Sequence, residues 1–213
     1  MNRIEKIPGE VNLKILKYLK SIKNGFFIEA GSHDGIFQSN TLILENHGWN
    51  GLLVEPSESL FNKCRQNRCC IVDNYALVSF DYKKNSIRAD EDGILMKSND
   101  GITIMSSDDD GLCPVITFTE LCLKYNIKKV DFFSLDVEGY EMEVLNGIDF
   151  NNIDINYILI EINYSTVKLS NLTKYMRSKG YWRVCNISNF TKKNCPSWPG
   201  THQDYLYKKK YKK

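Results

Sequence analysis

The stretch FFIEAGSHDG, residues 26–35, decides the fold. Its first half is apolar apart from Glu29, which is typical of a short strand buried on both faces of a parallel sheet. Gly31 and Gly35 follow, and glycine lets the backbone turn sharply and approach a ligand where a Cβ atom would clash. Since open α/β sheets bind ligands at the carboxyl ends of their strands, this loop is the first candidate for a binding site.

The rest of the chain repeats this succession of a short apolar strand and a helical segment. Further strands are predicted at residues 51–55, 69–73, 130–135, 157–162, 182–187 and 204–207. Helices are predicted at residues 9–24, 41–47 (with Ser39 as the cap), 58–67, 117–125, 140–146 and 170–179. Residues 80–112 mix acids, glycine and asparagine, and we predict a strand pair or a mobile loop there, with order resuming at Thr117. This alternation predicts an α/β fold with a parallel sheet covered by helices on both faces.

The composition is that of an ordinary globular domain, with 25% charged and 42% hydrophobic residues among 213. We expect a single domain over residues 1–213. No apolar run approaches the ~18 residues of a membrane span, and the N-terminus lacks a hydrophobic signal core. Seven cysteines, an odd number without a CxxC pair, indicate reduced thiols. These features predict a cytoplasmic protein without a membrane span.

The net charge of +2 conceals a division of the chain into three parts. The segment 1–24, a predicted helix, has six basic and two acidic residues. The core segment 25–167, where we expect the cofactor, has ten basic and twenty-three acidic residues. The segment 168–213, with the C-terminal helix and strands, has twelve basic residues and one acidic residue. Such asymmetry is typical of a protein with an electrostatic partner. The alternative is a solubilising terminus beside an acidic body, and the sequence leaves both open.

Carboxylates and amides stand at the carboxyl ends of most predicted strands: Glu29 and Asp34, Glu55, Asp73 and Asn74, Asp136 and Glu138, and Glu161. Glu55 lies 24 residues beyond Gly31, near the ~20-residue spacing at which an acid accepts hydrogen bonds from a ribose diol. The loop reads GSHDG rather than GxGxxG, which counts against a pyrophosphate cofactor such as NAD or FAD. An acidic pocket suits a cationic, phosphate-free cofactor with a ribose, and S-adenosylmethionine carries both a sulfonium and an ammonium group.

Three blocks carry a family resemblance: FIEAGSHDGIFQSNTLILENHGWNGLLVEP (27–56), VDFFSLDVEGYEMEVLNGIDFNNI (130–153) and YILIEIN (157–163). They resemble the FkbM family of S-adenosylmethionine-dependent methyltransferases. The resemblance covers residues 26–163 and extends loosely to GYWRV and QDYLY near the C-terminus. It implies a Rossmann-like class I methyltransferase fold with a terminal antiparallel strand. It also implies methyl transfer to hydroxyl oxygens, often of sugars or natural-product scaffolds.

The resemblance also implies roles for individual positions. The methionine part of the cofactor is expected to contact Glu29, Gly31 and the turn made of Ser32, His33, Asp34 and Gly35. Glu55 is expected to hold the ribose, and Asp73 or Asn74 the adenine edge. Asp136 and Glu138 are expected to face the methionine part and the acceptor. Relatives vary at His33, so its candidate role follows only from its place in the loop.

An acceptor hydroxyl is a weak acid and gains from a general base or a metal ion. The candidate catalytic residues are Asp136, Glu138 and His33, with Glu161 as a further candidate base. Asp136 and Glu161 also offer oxygen ligands for Mg²⁺ or Mn²⁺ on adjacent strands. The alternative is that both only hydrogen-bond the cofactor and nearby backbone.

The leading hypothesis is an S-adenosylmethionine-dependent O-methyltransferase acting on a hydroxyl of a saccharide or glycoconjugate, alone or as one domain of a larger glycan-modifying protein. One alternative is an RNA ribose O-methyltransferase, which the basic C-terminus favours. The segment DVEG stands where enzymes that methylate base amino groups usually carry [DN]PP[YF], which counts against nucleic-acid bases as substrates. The other alternative is a non-catalytic interaction module that kept the fold. The intact carboxylates at the strand ends argue against it.

Overall fold

A computed structural model describes residues 9–89 and 111–211. The helices within these ranges are α1 (Glu10–Leu19), α2 (Leu42–Asn46), α3 (Glu58–Asn67), α4 (Phe118–Lys124), α5 (Glu141–Asn146) and α6 (Leu169–Ser178). The strands are β1 (Phe26–Ala30), β2 (Asn50–Val54), β3 (Ile71–Asp73), β4 (Ala76–Val78), β5 (Ser86–Arg88), β6 (Leu112–Thr117), β7 (Lys129–Leu135), β8 (Asp154–Asn163), β9 (Tyr181–Asn186) and β10 (His202–Lys209).

The central sheet has seven strands in the order β3-β2-β1-β7-β8-β10-β9. The neighbouring pairs from β3 to β8 are parallel, whereas β10 runs antiparallel to both β8 and β9. The chain moves outward from β1 to β3 on one side and from β7 on the other, so strand order reverses between β1 and β7. At such a switch point the carboxyl ends of parallel strands leave a crevice for a ligand. The predicted α/β fold with a mostly parallel sheet and a terminal antiparallel strand is confirmed.

Alternating strand residues pack against helices on the two faces of this sheet. Ile28 and Phe133 share one buried core with α4, α5 and α6, whereas Phe27 and Phe132 share the other with α1, α2 and α3. All four side chains are fully buried, and burying an apolar side chain of this size stabilises a fold by about 1.5–3 kcal/mol. The helices on both faces therefore hold β1 and β7 firmly, together with the loops at their carboxyl ends.

A second sheet has three strands in the order β4-β6-β5, with β4 parallel and β5 antiparallel to β6. It corrects the sequence interpretation at two points. Regular structure is present before Thr117, since β6 begins at Leu112. Ala76–Val78 is a strand that no pattern indicated, because three residues are too few to show a period. The strand pair or mobile loop predicted from the apolar stretches at 94–96 and 102–105 lies outside the described ranges, and β5 pairs with β6 on either side of it in sequence.

Several element boundaries also differ from those predicted. α1 ends at Leu19 and not at residue 24, and Asn24, with a φ of +52°, turns the chain into β1. The predicted cap before α2 is present, since the Ser39 hydroxyl accepts the backbone N–H of Leu42 at 3.1 Å. None of the helices described combines the length and the apolar character needed to pass through a lipid bilayer.

Candidate active site

A cavity of about 230 Å³ opens at the carboxyl ends of β1, β2 and β7, where strand order reverses. Six residues that the sequence predicted for the site line it: Glu29, Gly31, His33, Glu55, Asp136 and Glu138. Six others do not belong to its lining: Ser32, Asp34, Gly35, Asp73, Asn74 and Glu161. The structure thus brings half of the predicted residues into one cavity, and the roles assigned to all twelve stay predictions.

Gly31 lies where the ends of β1 and β7 meet. Its φ is +76°, and a Cβ atom added there would stand 1.7 Å from the carbonyl oxygen of Asp136. No residue with a side chain fits such a contact, because both the backbone angle and the space exclude it. Glycine is therefore required for the loop after β1 to reach the strand end that carries Asp136.

Several residues around the cavity have positive φ angles, which strain the backbone of residues other than glycine. His33, Gln38 and Glu138 belong to its lining and have φ angles of +50°, +52° and +51°. In the described ranges, every other non-glycine residue with a positive φ is an asparagine, which tolerates this conformation better. Each strained residue costs of order 1–3 kcal/mol and persists only where its surroundings fix it, commonly at ligand sites. These backbone conformations make the cavity a candidate ligand site on grounds independent of its charge.

Glu29 is held in a buried hydrogen-bond network. One carboxylate oxygen accepts the hydroxyls of Ser39 at 2.9 Å and Thr41 at 2.6 Å, and the other accepts the backbone N–H of Asn40 at 2.8 Å. The Arg68 guanidinium lies 3.5 Å from the same carboxylate. These contacts tie the segment before α2 to the end of β1, so Glu29 shapes the cavity wall.

Arg68 is the buried cation of this network, and nothing in the sequence pattern singled it out. Its guanidinium contacts the Glu45 carboxylate at 2.5 Å and donates to the carbonyl oxygen of Gly35 at 3.0 Å. Burial opposes its charge, but Glu29 and Glu45 raise the pKa of Arg68 above its usual value. Arg68 therefore stays charged and joins the loop after β1 to α3.

Glu55 follows β2 and is 2% exposed. Its two oxygens accept the backbone N–H groups of His33 at 2.8 Å and Ser57 at 3.0 Å. Burial raises the pKa of Glu55 to about 7, although these hydrogen bonds act in the opposite direction. Each carboxylate oxygen can accept a further hydrogen bond. The fixed carboxylate therefore has the acceptor capacity that a ribose diol needs.

Three carboxylates lie side by side on neighbouring strands, and we call Asp136, Glu161 and Asp204 the carboxylate row. Glu161 in β8 pairs directly with Asp204 in β10. Asp136 follows the last residue of β7, which pairs with Ile160, so Asp136 stands beside Glu161. Cross-strand neighbours point to the same face of a sheet. Sequence reasoning had not included Asp204, because it approaches the others only through the antiparallel return of β10.

Burial and repulsion keep the carboxylate row protonated to an unusually high pH. Burial and the neighbouring Glu161 raise the pKa of Asp136 well above its usual value. Burial raises the pKa of Glu161 to about 7, with a further rise from Asp204, and burial also raises the pKa of Asp204. One carboxylate oxygen of Asp136 and one of Glu161 lie within 4.8 Å of each other, so two negative charges at this distance repel and favour the retention of one proton. The pair can therefore exchange a proton near neutral pH.

Little positive charge compensates the carboxylate row within the protein. Across residues 9–89 and 111–211, no lysine or arginine forms an ion pair with any of its three members. His202 is the basic side chain beside it, with Nε2 3.8 Å from a Glu161 oxygen. An uncompensated buried carboxylate is costly, so the row favours either bound protons or a cationic ligand.

Asp73 and Asn74 are occupied outside the cavity. The Asp73 carboxylate accepts the ammonium of Lys124 at 2.7 Å and the hydroxyl of Tyr125 at 2.8 Å. The Asn74 amide donates to the carbonyl oxygen of Glu55 at 2.8 Å. The Asn74 side chain thus supports the end of β2 and that of Asp73 contacts the end of α4, and the next residue, Tyr75, lines the cavity instead.

Ser32, Asp34 and Gly35 form the turn after β1. The Asp34 carboxylate accepts the backbone N–H groups of Ile36 at 2.9 Å and Phe37 at 2.7 Å. Burial opposes ionisation, but these hydrogen bonds lower the pKa of Asp34 below its usual value. The turn is therefore stabilised by a carboxylate that stays charged, and it carries His33 and Phe37 to the cavity.

Two aromatic side chains of the lining were missed from sequence. Phe37 is 52% exposed although it is large and apolar, and its ring centre lies 5.4 Å from that of His33. Tyr75 enters the lining from the segment between β3 and β4. Their positions in the sequence could have indicated them, because Phe37 closely follows the loop at residues 31–35 and Tyr75 directly follows Asp73 and Asn74. Such rings suit a flat heterocycle at the cavity mouth.

Comparison with known proteins gives a family and a fold. The sequence profile described as the methyltransferase FkbM domain matches residues 29–182. No curated protein matches the chain. The fold is similar to a TehB-like SAM-dependent methyltransferase from Corynebacterium glutamicum, with 11% identity and a TM-score of 0.53 over 97% of this chain and 90% of that one.

Two further solved structures have a similar fold. The METTL16 methyltransferase domain shares 13% identity at a TM-score of 0.52, over 97% of this chain and 71% of that one. The methyltransferase domain of bacterial CtHen1-C shares 10% identity at a TM-score of 0.50, over 95% of this chain and 98% of that one. At such identities the likeness shows the fold alone.

The cavity also fits the cofactor of that fold. Glu55, Asp136 and Glu138 bring three carboxyl groups to the lining of one cavity, a set of hydrogen-bond acceptors suited to a ribose diol and to a cationic ligand. No lysine or arginine belongs to the described lining, so nothing there selects a phosphate. With a family profile that covers most of the chain and a sheet order that agrees with it, this chain belongs to the FkbM family of S-adenosylmethionine-dependent methyltransferases.

Proposed function

We propose that this protein transfers the methyl group of S-adenosylmethionine to a hydroxyl of a sugar or glycoconjugate in the cytoplasm. The observation that carries the proposal is the adjacent pair of carboxylates Asp136 and Glu161 at the end of the central strands, with an oxygen of each within 4.8 Å of the other. A hydroxyl acceptor must lose its proton during transfer, and a general base works best when its pKa lies near the working pH. The pKa of about 7 at Glu161 meets that requirement.

The cofactor is expected to span the cavity from β2 to β7. Glu55 accepts hydrogen bonds from the ribose diol, and Phe37 and Tyr75 flank the adenine. Gly31 lets the loop after β1 reach the strand end that carries Asp136, and the methionine part is expected to lie beside this junction. Bound S-adenosylmethionine supplies a methyl group on a sulfonium, which is open to in-line displacement. The rigid cavity contributes alignment, which provides much of the acceleration of such a reaction.

The acceptor is expected to lie between Glu138 and the carboxylate row. Glu138 is exposed at the cavity and can accept hydrogen bonds from sugar hydroxyls. Asp136 lines the cavity, and Glu161 offers a second carboxylate oxygen within 4.8 Å of it. Above about pH 7 the pair holds fewer protons and can take the proton of the attacking hydroxyl. His33 remains a candidate to do the same from the opposite loop.

A divalent ion at the same place is the second part of this proposal. One oxygen each from Asp136, Glu138 and Glu161 lies within 4.8 Å of the others, which is close enough to share one ion. A set made only of oxygens suits Mg²⁺ or Mn²⁺. If an ion takes part, EDTA stops turnover and added Mg²⁺ or Mn²⁺ restores it. Turnover that is insensitive to EDTA would leave proton transfer to the carboxylate pair as the means of activation.

The test of the proposed function is mass spectrometry of glycans incubated with the protein and S-adenosylmethionine, seeking the mass of one added methyl group. Asp136→Asn is expected to lower kcat by about 100-fold or more, the usual loss of a general base, while the melting temperature changes little. Glu58→Gln, an exposed change of the same kind on α3, is the matched control. Wild-type turnover in Asp136→Asn would place the chemistry elsewhere. Absence of calorimetric heat with S-adenosylmethionine would instead favour a non-catalytic module.

A ribose hydroxyl of RNA is the second candidate acceptor. The observation that favours it is the C-terminal segment 168–213, with twelve basic residues and one acid. Phosphate contacts would make RNA binding weaken steeply as salt rises. Lack of measurable RNA binding at low salt would remove this candidate.

A further inference from the structure

A second groove lies between α6 and β9 and shares no residue with the cavity. Its volume is about 460 Å³, and its lining consists of Leu169, Ser170, Thr173, Lys174, Arg177 and Arg183. We call it the basic groove, because three of its six residues are cations and none is a carboxylate. Two more carry hydroxyls, so most of the lining consists of hydrogen-bond donors.

The cations of the basic groove come from two elements and converge. Lys174 and Arg177 are three residues apart on α6 and so lie on one face of the helix. Arg183 belongs to β9 and has the same strand parity as Tyr181, which is buried in the core that α6 covers. The Arg183 guanidinium carbon lies 5.5 Å from the centre of the Tyr205 ring.

The two arginines enter the groove from different elements. Arg183 belongs to β9, where it pairs with Tyr207 of β10, and Arg177 belongs to α6. The Thr173 hydroxyl, part of the groove lining, is 3.2 Å from the Tyr207 hydroxyl. The groove therefore combines cations from a helix and a strand with the hydroxyls of Ser170 and Thr173.

The positive charge of the basic groove has no internal counterion. Within the described part of the chain, no ion pair includes Lys174, Arg177 or Arg183. The one acid of segment 168–213 is Asp204, and it belongs to the carboxylate row. Since like charges held together repel, an anion bound in the groove would relieve their repulsion.

We propose that the basic groove binds a phosphate or pyrophosphate ester and, resting on the proposed function, that this ester is part of a sugar acceptor. A guanidinium pairs with two phosphate oxygens at once, which makes arginine the usual residue for this group. No aromatic side chain belongs to the lining, whereas surfaces for single-stranded RNA usually stack bases on aromatic rings. The groove therefore fits a phosphorylated sugar better than RNA.

A short segment joins the basic groove to the acceptor side of the cavity. α6 begins at Leu169, and Thr166 just before it packs on Gly139, where a Cβ atom would meet the Thr166 methyl at 3.4 Å. Gly139 adjoins Glu138 of the cavity lining. Through Thr166 and Gly139, the start of α6 at one end of the basic groove lies close to the loop that carries Glu138.

Calorimetric titration with inorganic pyrophosphate in buffer containing EDTA tests the site directly, because the chelator keeps metal away from the carboxylate row. Arg177→Gln/Arg183→Gln is expected to raise the Kd at least about tenfold, since it removes charge-assisted hydrogen bonds. The control Lys23→Gln/Lys193→Gln removes the same charge from exposed positions and should stay within about twofold of wild type. Equal affinity in all three proteins, or no saturable binding to wild type, overturns the proposal.

Kinetics with a sugar nucleotide tests the link to the acceptor. Arg177→Gln/Arg183→Gln should raise the KM for the sugar nucleotide about tenfold and leave kcat and the KM for S-adenosylmethionine unchanged. An unchanged acceptor KM overturns this link. Single-stranded RNA is the competing ligand. If RNA binds the wild type far more tightly than pyrophosphate does, and this affinity is lost in Arg177→Gln/Arg183→Gln, the proposal of a sugar ester is overturned in favour of RNA. Binding of pyrophosphate without binding of S-adenosylmethionine supports the groove while the proposed function fails.

Discussion

The carboxylate row and the basic groove differ in the sign of their charged groups and in how far those groups are exposed to water. The carboxylate row lies at the ends of central strands, with Asp204 buried and Asp136 and Glu161 half-buried, and the loss of solvent raises the pKa of each member. The basic groove uses exposed cations on α6 and an edge strand, which water can solvate. Moving a charge from water into a protein interior is costly, whereas keeping it at the surface is not. The row is therefore poised to bind protons or a cation, and the groove stores little energy until an anion binds.

Topology, and not the distribution of charge along the sequence, decides which region a residue joins. Segment 168–213 is basic, yet its one acid, Asp204, lies in the carboxylate row because β10 returns antiparallel to β8. Arg68 belongs to the acidic core segment and is buried between Glu29 and Glu45. Both exceptions are buried, and both depend on partners that are distant in sequence. The following experiments test this contrast between buried and exposed charge.

Removing the buried cation should have the largest effect. Arg68→Ala leaves Glu29 and Glu45 buried without a counterion, and breaking a buried ion pair in this way costs about 3–5 kcal/mol. Arg65→Ala, an exposed change on the same helix, should cost less than about 1 kcal/mol. Urea unfolding monitored by circular dichroism measures both. A loss at Arg68 as small as that at Arg65 would contradict the role of Arg68 in joining the loop to α3.

The pH dependence of stability should reveal the carboxylate row. Burial raises the pKa of Glu161 from 4.5 to about 7, so the folded state binds its proton more tightly than the unfolded state. The free energy of unfolding should then be greatest below pH 4.5 for this group and fall as pH rises toward 7 and above. The loss from Glu161 is about 3 kcal/mol at most, given 1.36 kcal/mol per pKa unit.

Two variants assign this pH dependence to the row. Glu161→Gln should flatten the decline in melting temperature between pH 5 and pH 8, because a neutral amide replaces the titrating group. Arg177→Gln/Arg183→Gln changes only exposed charge and should leave the slope as in wild type. Equal slopes in wild type and Glu161→Gln would show that Glu161 does not titrate in this range.

The sequence predicted the parts of the site that depend on one strand and its loop. FFIEAGSHDG and LLVE each contain an apolar strand and the residues at its end, so Gly31 and Glu55 could be placed before any pairing was known. Their positions in the cavity follow from the parallel sheet order, which the alternation of strands and helices indicates. Local pattern and topology agree at these points.

The parts that escaped prediction depend on pairing register. Asp204 meets Glu161 through a β10–β8 register that no local pattern encodes. Tyr75 enters the cavity because β4 leaves the central sheet and pairs with β6, and three residues show no period that would predict this. Asp73 was a candidate for the adenine edge, but its carboxylate forms an ion pair with Lys124 of α4, a residue distant in sequence that no local pattern links to it.

Cofactor affinity should depend on Glu55 more modestly. Glu55→Gln is expected to weaken binding of S-adenosylhomocysteine by about 1–3 kcal/mol, the usual value for hydrogen bonds to a charged group. Because burial raises the pKa of Glu55 to about 7, the wild-type affinity should rise with pH through that value as the carboxylate ionises. Calorimetry from pH 6 to pH 8 measures both effects. An affinity unchanged in Glu55→Gln, or independent of pH in wild type, would contradict ribose binding at this carboxylate.

The smallest effect is expected where charge is exposed. Arg177→Gln/Arg183→Gln should change the free energy of unfolding by less than about 0.5 kcal/mol, because solvated charges at separate surface positions contribute little. At low ionic strength the variant should be slightly the more stable, since the repulsion among the groove cations is weaker and no counterion is lost. Salt should remove this difference by screening. A loss above about 1 kcal/mol would instead mean that the arginines support α6 against β9, and the groove would then be a structural contact rather than a site kept open for an anion.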